Sequence, residues 1–150
     1  MINTIGVPLV MRGPGIPKQS RFSSQCCLRD LFPTLCDLVG IQGPAQKIDG
    51  ISVAPVLAGK TQEVHPFVTG YFRNLQRMIR TEEWKYIEYP VVNKQQLFQH
   101  TADPDETKNL IDDESCKEVR QHLAAQMCQW FQERGDPRSD TDQSPGLSTD

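Results

Sequence analysis

Long apolar runs are missing from this sequence: its 150 residues contain nothing approaching the ~18 consecutive apolar residues of a membrane-spanning helix. Apolar side chains are sparse throughout. They form 37% of the chain and aromatics only 7%, with a mean hydropathy of -0.50, whereas an average domain is roughly 45–50% apolar with glycine counted. A chain of this length would bury roughly 70% of its unfolded surface as one domain, so the core it can build is thin. An excess of charge of one sign is lacking too. The net charge is -3, and the last 16 residues, where Asp136, Asp140, Asp142 and Asp150 face only Arg138, account for all of it. The remainder is neutral, which excludes the basic field of a nucleic-acid binder and the acidic block that would attract a basic partner. Residues 135–150 hold a single large apolar side chain, Leu147, too little to offset their ordering entropy, so an acidic disordered tail is expected there.

No secretion signal opens the chain, because Gly6, Pro8, Arg12 and Pro14 interrupt the apolar stretch behind Met1. Read from Met1 the address is cytoplasmic; were Met1 internal to a longer chain, an upstream signal peptide would send the protein to the periplasm or outside. The five cysteines Cys26, Cys27, Cys36, Cys116 and Cys128 lack the C-x-x-C spacing of a metal or redox site. Cys116, His122 and Cys128 are six residues apart on one expected helix, and at ~100° per residue their side chains point about 120° from one another. They cannot share a metal, and reduced, half-buried thiols are expected.

What is present reads as short elements. Val7 to Met11 is apolar almost without a break, as suits a strand covered on both faces. "RDLFPTLCDLVGI" predicts a helix over 31–39 with Asp30 as N-cap, Pro33 in the first turn and Gly40 past the end. Leu31, Leu35, Leu38 and Val39 would form its buried stripe. A turn at Asp49-Gly50 and a short helix over 52–58, capped by Ser52, follow. From His65 the pattern changes to strands: "HPFVTGYF", "LQRMIRT", "WKYIEY" and "QQLFQH" are rich in aromatic and β-branched residues and read as an antiparallel meander. A helix over 116–134 opens with Ser115 and Glu118 at capping-box spacing and ends at Gly135. Its Val119, Leu123, Met127, Trp130 and Phe131 should pack on one face of the sheet.

Three stretches together resemble the C-terminal part of a sulfatase, a member of the alkaline-phosphatase-like superfamily. "VPLVMRGPGIP" is similar to the family's strand and Pro-Gly turn. "LRDLFPTLCDLVGI" followed by "IDGISVAPVLAGK" is similar to its Asp-x-x-Pro-Thr helix and Asp-Gly-x-Ser segment. "QRMIRTEEWKYIEY" and "LFQHTADPDETKNL" are similar to its closing strands and its Asp-Pro-x-Glu, Asn-Leu ending, with Gln99-His100 where the family usually has Asp-Leu. The order and spacing hold over residues 5–110. The resemblance implies an α/β class of the α+β kind. Residues 1–62 would be the end of the large α/β domain, 63–134 a small antiparallel sheet packed by the C-terminal helix, and 135–150 the tail.

The parent family hydrolyses sulfuric esters with a formylglycine nucleophile, made from the Cys or Ser of a Cys/Ser-x-Pro-x-Arg motif, and a divalent cation, usually calcium. Neither is expected in this chain. No cysteine or serine here is followed by Pro two residues on and Arg four residues on, and the one Asp-Asp pair, Asp112-Asp113, sits at a helix start, where carboxylates favour the helix dipole. The chain alone is therefore expected to be inactive, with no catalytic residue and no metal ligand. His65, Arg73 and Arg77 are the candidates for a substrate rim, since the resemblance implies that loops of this subdomain reach toward the sulfate pocket. Implied partners are a sulfated small molecule or carbohydrate for the parent, no nucleic acid, and self-association through the strand at 7–11. Two other readings stand beside this one. One is a stand-alone, non-catalytic binding or assembly module derived from a sulfatase; the other is the end of a related phosphodiesterase or phosphatase.

Overall fold

The helix predicted over 31–39 forms with those limits, but its expected stripe is only partly covered. In the computed structural model, which describes residues 6–43 and 48–136, α1 (Leu31–Val39) ends at Gly40 in the left-handed region, φ 70, where the lack of a Cβ removes the steric cost. Its buried residues are Thr34 and Cys36. Leu35 is 53% and Val39 66% exposed, as are the neighbouring Phe32 and Leu28 at 53% and 73%. Of the stripe expected to be buried, Leu35 and Val39 are thus exposed, while Leu31 and Leu38 are half-buried. Periodicity shows that a helix has two faces; which of them meets a partner depends on what else is folded against it.

Asp30 stands at the N-cap of α1 as expected, but its side chain makes no cap bond to the helix; it also ends a 3-10 turn, Leu28–Asp30, that runs straight into the helix. The strand expected at Val7 to Met11 is absent too. Residues 6–12 form no strand, and Val10 is 90% exposed, because a strand exists only through a paired neighbour and none is offered to it here. The short helix is narrower than 52–58: α2 spans Ala54–Leu57 with Val53 at its N-cap. The Ser52 hydroxyl still accepts the Ala54 N–H at 3.2 Å. Gly50 fits its place for a steric reason, since a Cβ there would lie 2.1 Å from the carbonyl oxygen of Arg29.

The chain divides into two units, one up to Val68 and one from Thr69. In the second, β1 (Val68–Phe72), β2 (Gln76–Arg80), β3 (Trp84–Tyr89) and β4 (Lys94–Gln99) form a sheet in that order. The pairs β2–β3 and β3–β4 are antiparallel. Met78 lies opposite Ile87, and these two pack with Phe98 as a buried cluster. Period-2 alternation puts Arg80 and Lys85 on the same face. The other face carries Arg77, Ile79, Tyr86 and Leu97. Against it lies α3 (Lys117–Gln132), with Leu123, Met127 and Phe131 buried.

The start of α3 also differs from expectation. Asp113, not Ser115, is the capping residue: its carboxylate accepts both the Ser115 N–H at 3.0 Å and the Ser115 hydroxyl at 2.6 Å. A 3-10 turn, Glu114–Cys116, then leads into the helix. The tail expected over 135–150 lies outside the described residues from 137 onward.

The stretch after β4 has a structural purpose. Asp103 accepts from the Lys108 N–H at 2.8 Å and the Thr107 hydroxyl at 3.0 Å. Asn109 accepts the Leu97 N–H at 2.9 Å and the Ile111 N–H at 3.2 Å, and the Leu110 N–H reaches the Leu97 carbonyl at 2.8 Å. The Asp-Pro-x-Glu, Asn-Leu segment is therefore a turn whose far end is tied back to β4.

Candidate functional site

The three rim candidates fall in three different environments. His65 is buried and its Nε2 donates to Asp30 Oδ2 at 2.8 Å. Arg77 is bound bidentately to Asp136, with Nε to Oδ2 at 3.1 Å and a terminal nitrogen to Oδ1 at 2.8 Å. Its guanidinium also lies 5.3 Å from the Phe131 ring centroid. Both side chains are committed to holding the fold. Arg73 is exposed in the loop between β1 and β2, with φ 51 and its guanidinium 5.6 Å from the centroid of Phe72. Tyr71, Phe72 and Leu75 around it are exposed as well. Of the three, Arg73 has the accessibility that binding an anion needs.

Asp30 is the residue that sequence reasoning undervalued. Its carboxylate accepts three donors: the Cys27 N–H at 2.6 Å, the Ile51 N–H at 2.9 Å and His65 Nε2. Thr34 completes the arrangement, donating its hydroxyl proton to the Asp30 carbonyl at 2.6 Å and accepting the Val53 N–H at 2.9 Å. Asp30 and Thr34, the first and last residues of the Asp-x-x-Pro-Thr pattern, thus fasten the start of α1 to residues 51, 53 and 65. The geometry is that of a structural clamp, since every carboxylate oxygen faces a protein donor.

A second charged group lies on the sheet. Lys85 Nζ contacts both oxygens of Glu106 at 3.0 and 2.9 Å, and both side chains are buried. His100 stands beside them, its Nε2 accepting from Arg80 at 2.7 Å. Neither this cluster nor the Asp30 clamp offers an oxygen-rich cradle. Among the described residues no group of three or more His, Cys, Asp or Glu could hold a metal ion. Partial burial pushes the thiols of the adjacent Cys26 and Cys27 above their ordinary range, although Cys26 is exposed. The groove lined by Thr81, Trp84, Glu118, Val119, His122 and Leu123 has Glu118 as its one fixed charge, which would repel a sulfate.

The sequence matches the family described as N-sulphoglucosamine sulphohydrolase, C-terminal, over residues 2–133. The chain belongs to the sulfatase family. It is 40% identical over 118 residues to a Delta 4,5-hexuronate-2-O-sulfatase of Bacteroides thetaiotaomicron, covering 71% of this chain and 24% of that protein. It is 37% identical over 118 residues to arylsulfatase K of Gallus gallus, covering 69% of this chain and 22% of that protein. A solved 2-O GAG sulfatase superposes with a TM-score of 0.69 at 33% identity, over 86% of this chain and 30% of that one. The chain spans about a quarter of the length of these curated sulfatases. Its mixed helices and four-stranded sheet are the C-terminal end of the alkaline-phosphatase-like sulfatase fold. No helix among the described residues is long and apolar enough to cross a membrane.

Proposed function

We propose that this chain is the C-terminal part of a sulfuric ester hydrolase and is inactive by itself, its nucleophile and metal ligands belonging to the remainder of the domain. The observation that carries this reading is the exposed apolar side of α1. Phe32, Leu35 and Val39 of the helix and Leu28 of the turn before it are exposed, an apolar surface that a longer chain would cover, since large exposed apolar patches are otherwise unfavourable. Sulfatases about four times as long supply a natural cover. The remainder of such an enzyme would hold the formylglycine nucleophile and a divalent cation, calcium, which would supply charge neutralisation at the sulfate. This chain contributes scaffold and, through Arg73, one cationic contact at the substrate rim. The substrate class is a sulfated carbohydrate, in keeping with the hexuronate sulfatase relative.

The polypeptide mass in the cells that make it, read with an antibody to the C-terminal residues, tests the reading. A product several times larger than 17.0 kDa is expected. A product of that mass, or sulfate release by the 150-residue chain alone, overturns it; the former would favour a non-catalytic module. Arg73 has its own test in the complete enzyme. Arg73→Ala is expected to raise KM for a sulfated saccharide about tenfold, the loss of one charge-assisted hydrogen bond of ~1.5 kcal/mol, with kcat nearly unchanged. An unchanged KM across substrates removes Arg73 from the rim.

A further inference from the structure

His100 replaces the leucine usual at its place in the family ending, and it is set among charges. An arginine side chain has only donors and stays protonated, so the 2.7 Å contact from Arg80 requires a lone pair on Nε2 and places the imidazole proton on Nδ1. That Nδ1 is buried without a hydrogen-bond partner. Its nearest carboxylate oxygen, Glu106 Oε1, is 3.8 Å away and is already taken by Lys85. A second proton on the ring would turn Nε2 into a donor facing the Arg80 donor, with two like charges in contact. The Arg80 contact cannot survive that change, and the imidazolium has Glu106 as its alternative partner, in competition with Lys85.

The geometry points to an acid-operated latch: neutral His100 ties the end of β4 to Arg80 at the end of β2, and protonation opens that tie and loosens residues 100–108. The charged groups facing the ring are Arg80 from β2, Lys85 from β3, and Glu106 and Asp103 from the turn after β4. Burial comes first and Arg80 second in holding the imidazole below the ordinary histidine range, with Glu106 opposing them. The folded value therefore lies below the unfolded one of about 6.5. The closed latch contributes fully above that ordinary value and is lost as pH falls toward the lowered one. Asp103 does not share the window, because the Lys108 N–H holds its carboxyl below the usual carboxylate range.

Nitrogen-15 NMR of the full chain between pH 7.5 and 5 reads the ring directly. The expected result is the Nδ1–H tautomer at neutral pH, a His100 pKa below 6.5, and falling amide-exchange protection over residues 100–108. Each unit by which the pKa is lowered corresponds to about a tenfold loss of protection. His100→Gln keeps an acceptor for Arg80 but cannot titrate, so its protection should be flat over this range. An Nε2–H tautomer, a pKa at or above 6.5, or the same acid loss in His100→Gln overturns the latch. Should that variant fail to fold, the tautomer and pKa of the unaltered chain decide the question alone.

Discussion

Replacing Asp30 with alanine is expected to destabilise the unit up to Val68 by about 3–5 kcal/mol, enough to unfold it in a marginal protein. The carboxylate is 1% exposed, and its loss strands the N–H groups of Cys27 and Ile51 and the Nε2–H of His65. Asp30→Asn keeps the shape but turns an NH₂ toward one of the three donors, so it should cost a substantial part of the same energy. His65→Ala removes one donor and leaves two bonds intact, and should cost less, roughly 1–2 kcal/mol. Urea unfolding of the three variants checks the order. Equal costs for Asp30→Ala and His65→Ala would mean that the His65 bond carries the whole effect and the backbone bonds little.

Lys85→Met should be nearly as damaging, at about 3–5 kcal/mol. It leaves the Glu106 carboxylate buried without the ammonium that contacts both of its oxygens. Removing the pair together is a different matter. The double variant Lys85→Met with Glu106→Gln should recover more than half of the loss, because the cost lies mainly in the uncompensated charge and not in the missing attraction. Glu106 itself has φ 52, a left-handed conformation that gives the single change Glu106→Gly a small backbone gain beside its electrostatic loss. Thermal denaturation of the two singles and the double closes the cycle. Additive losses would show that Lys85 and Glu106 are not coupled.

Local pattern made much of this fold legible. Three of the strands fall within the stretches read from aromatic and β-branched composition and β4 begins one residue before its stretch, and α1 and α3 lie in the two segments read as helical. What local pattern cannot carry is the identity of a partner. Periodicity places Leu31, Leu35, Leu38 and Val39 on one stripe of α1, yet only Leu31 and Leu38, beside the buried Thr34, find partial cover. Val7 to Met11 has the composition of a buried strand without the strand beside it. Asp30 was read as a cap because Asp before a helix normally is one. Its partner at position 65 is 35 residues away, and nothing nearby announces it. The rim residues divide for the same reason. Arg77 meets Asp136 across 59 residues, whereas Arg73 stays in its own hairpin loop. His100 did leave a trace, as a departure from Asp-Leu in the closing motif, although its bond to Arg80 is visible only in three dimensions.

The clamp at Asp30 also determines where relatives can be recombined. Its bonds run from position 27 to position 65, so a chimera joined anywhere between them would ask residues from two parents to meet around one carboxylate. The turn at Gly50 adds a second constraint inside that interval, through its contact with Arg29. A join at 66–68 severs neither, and it coincides with the division between the two units at Val68. Exchanges there between sulfatases as different as those at 40% and 37% identity should yield foldable hybrids, while exchanges at 40–60 should not.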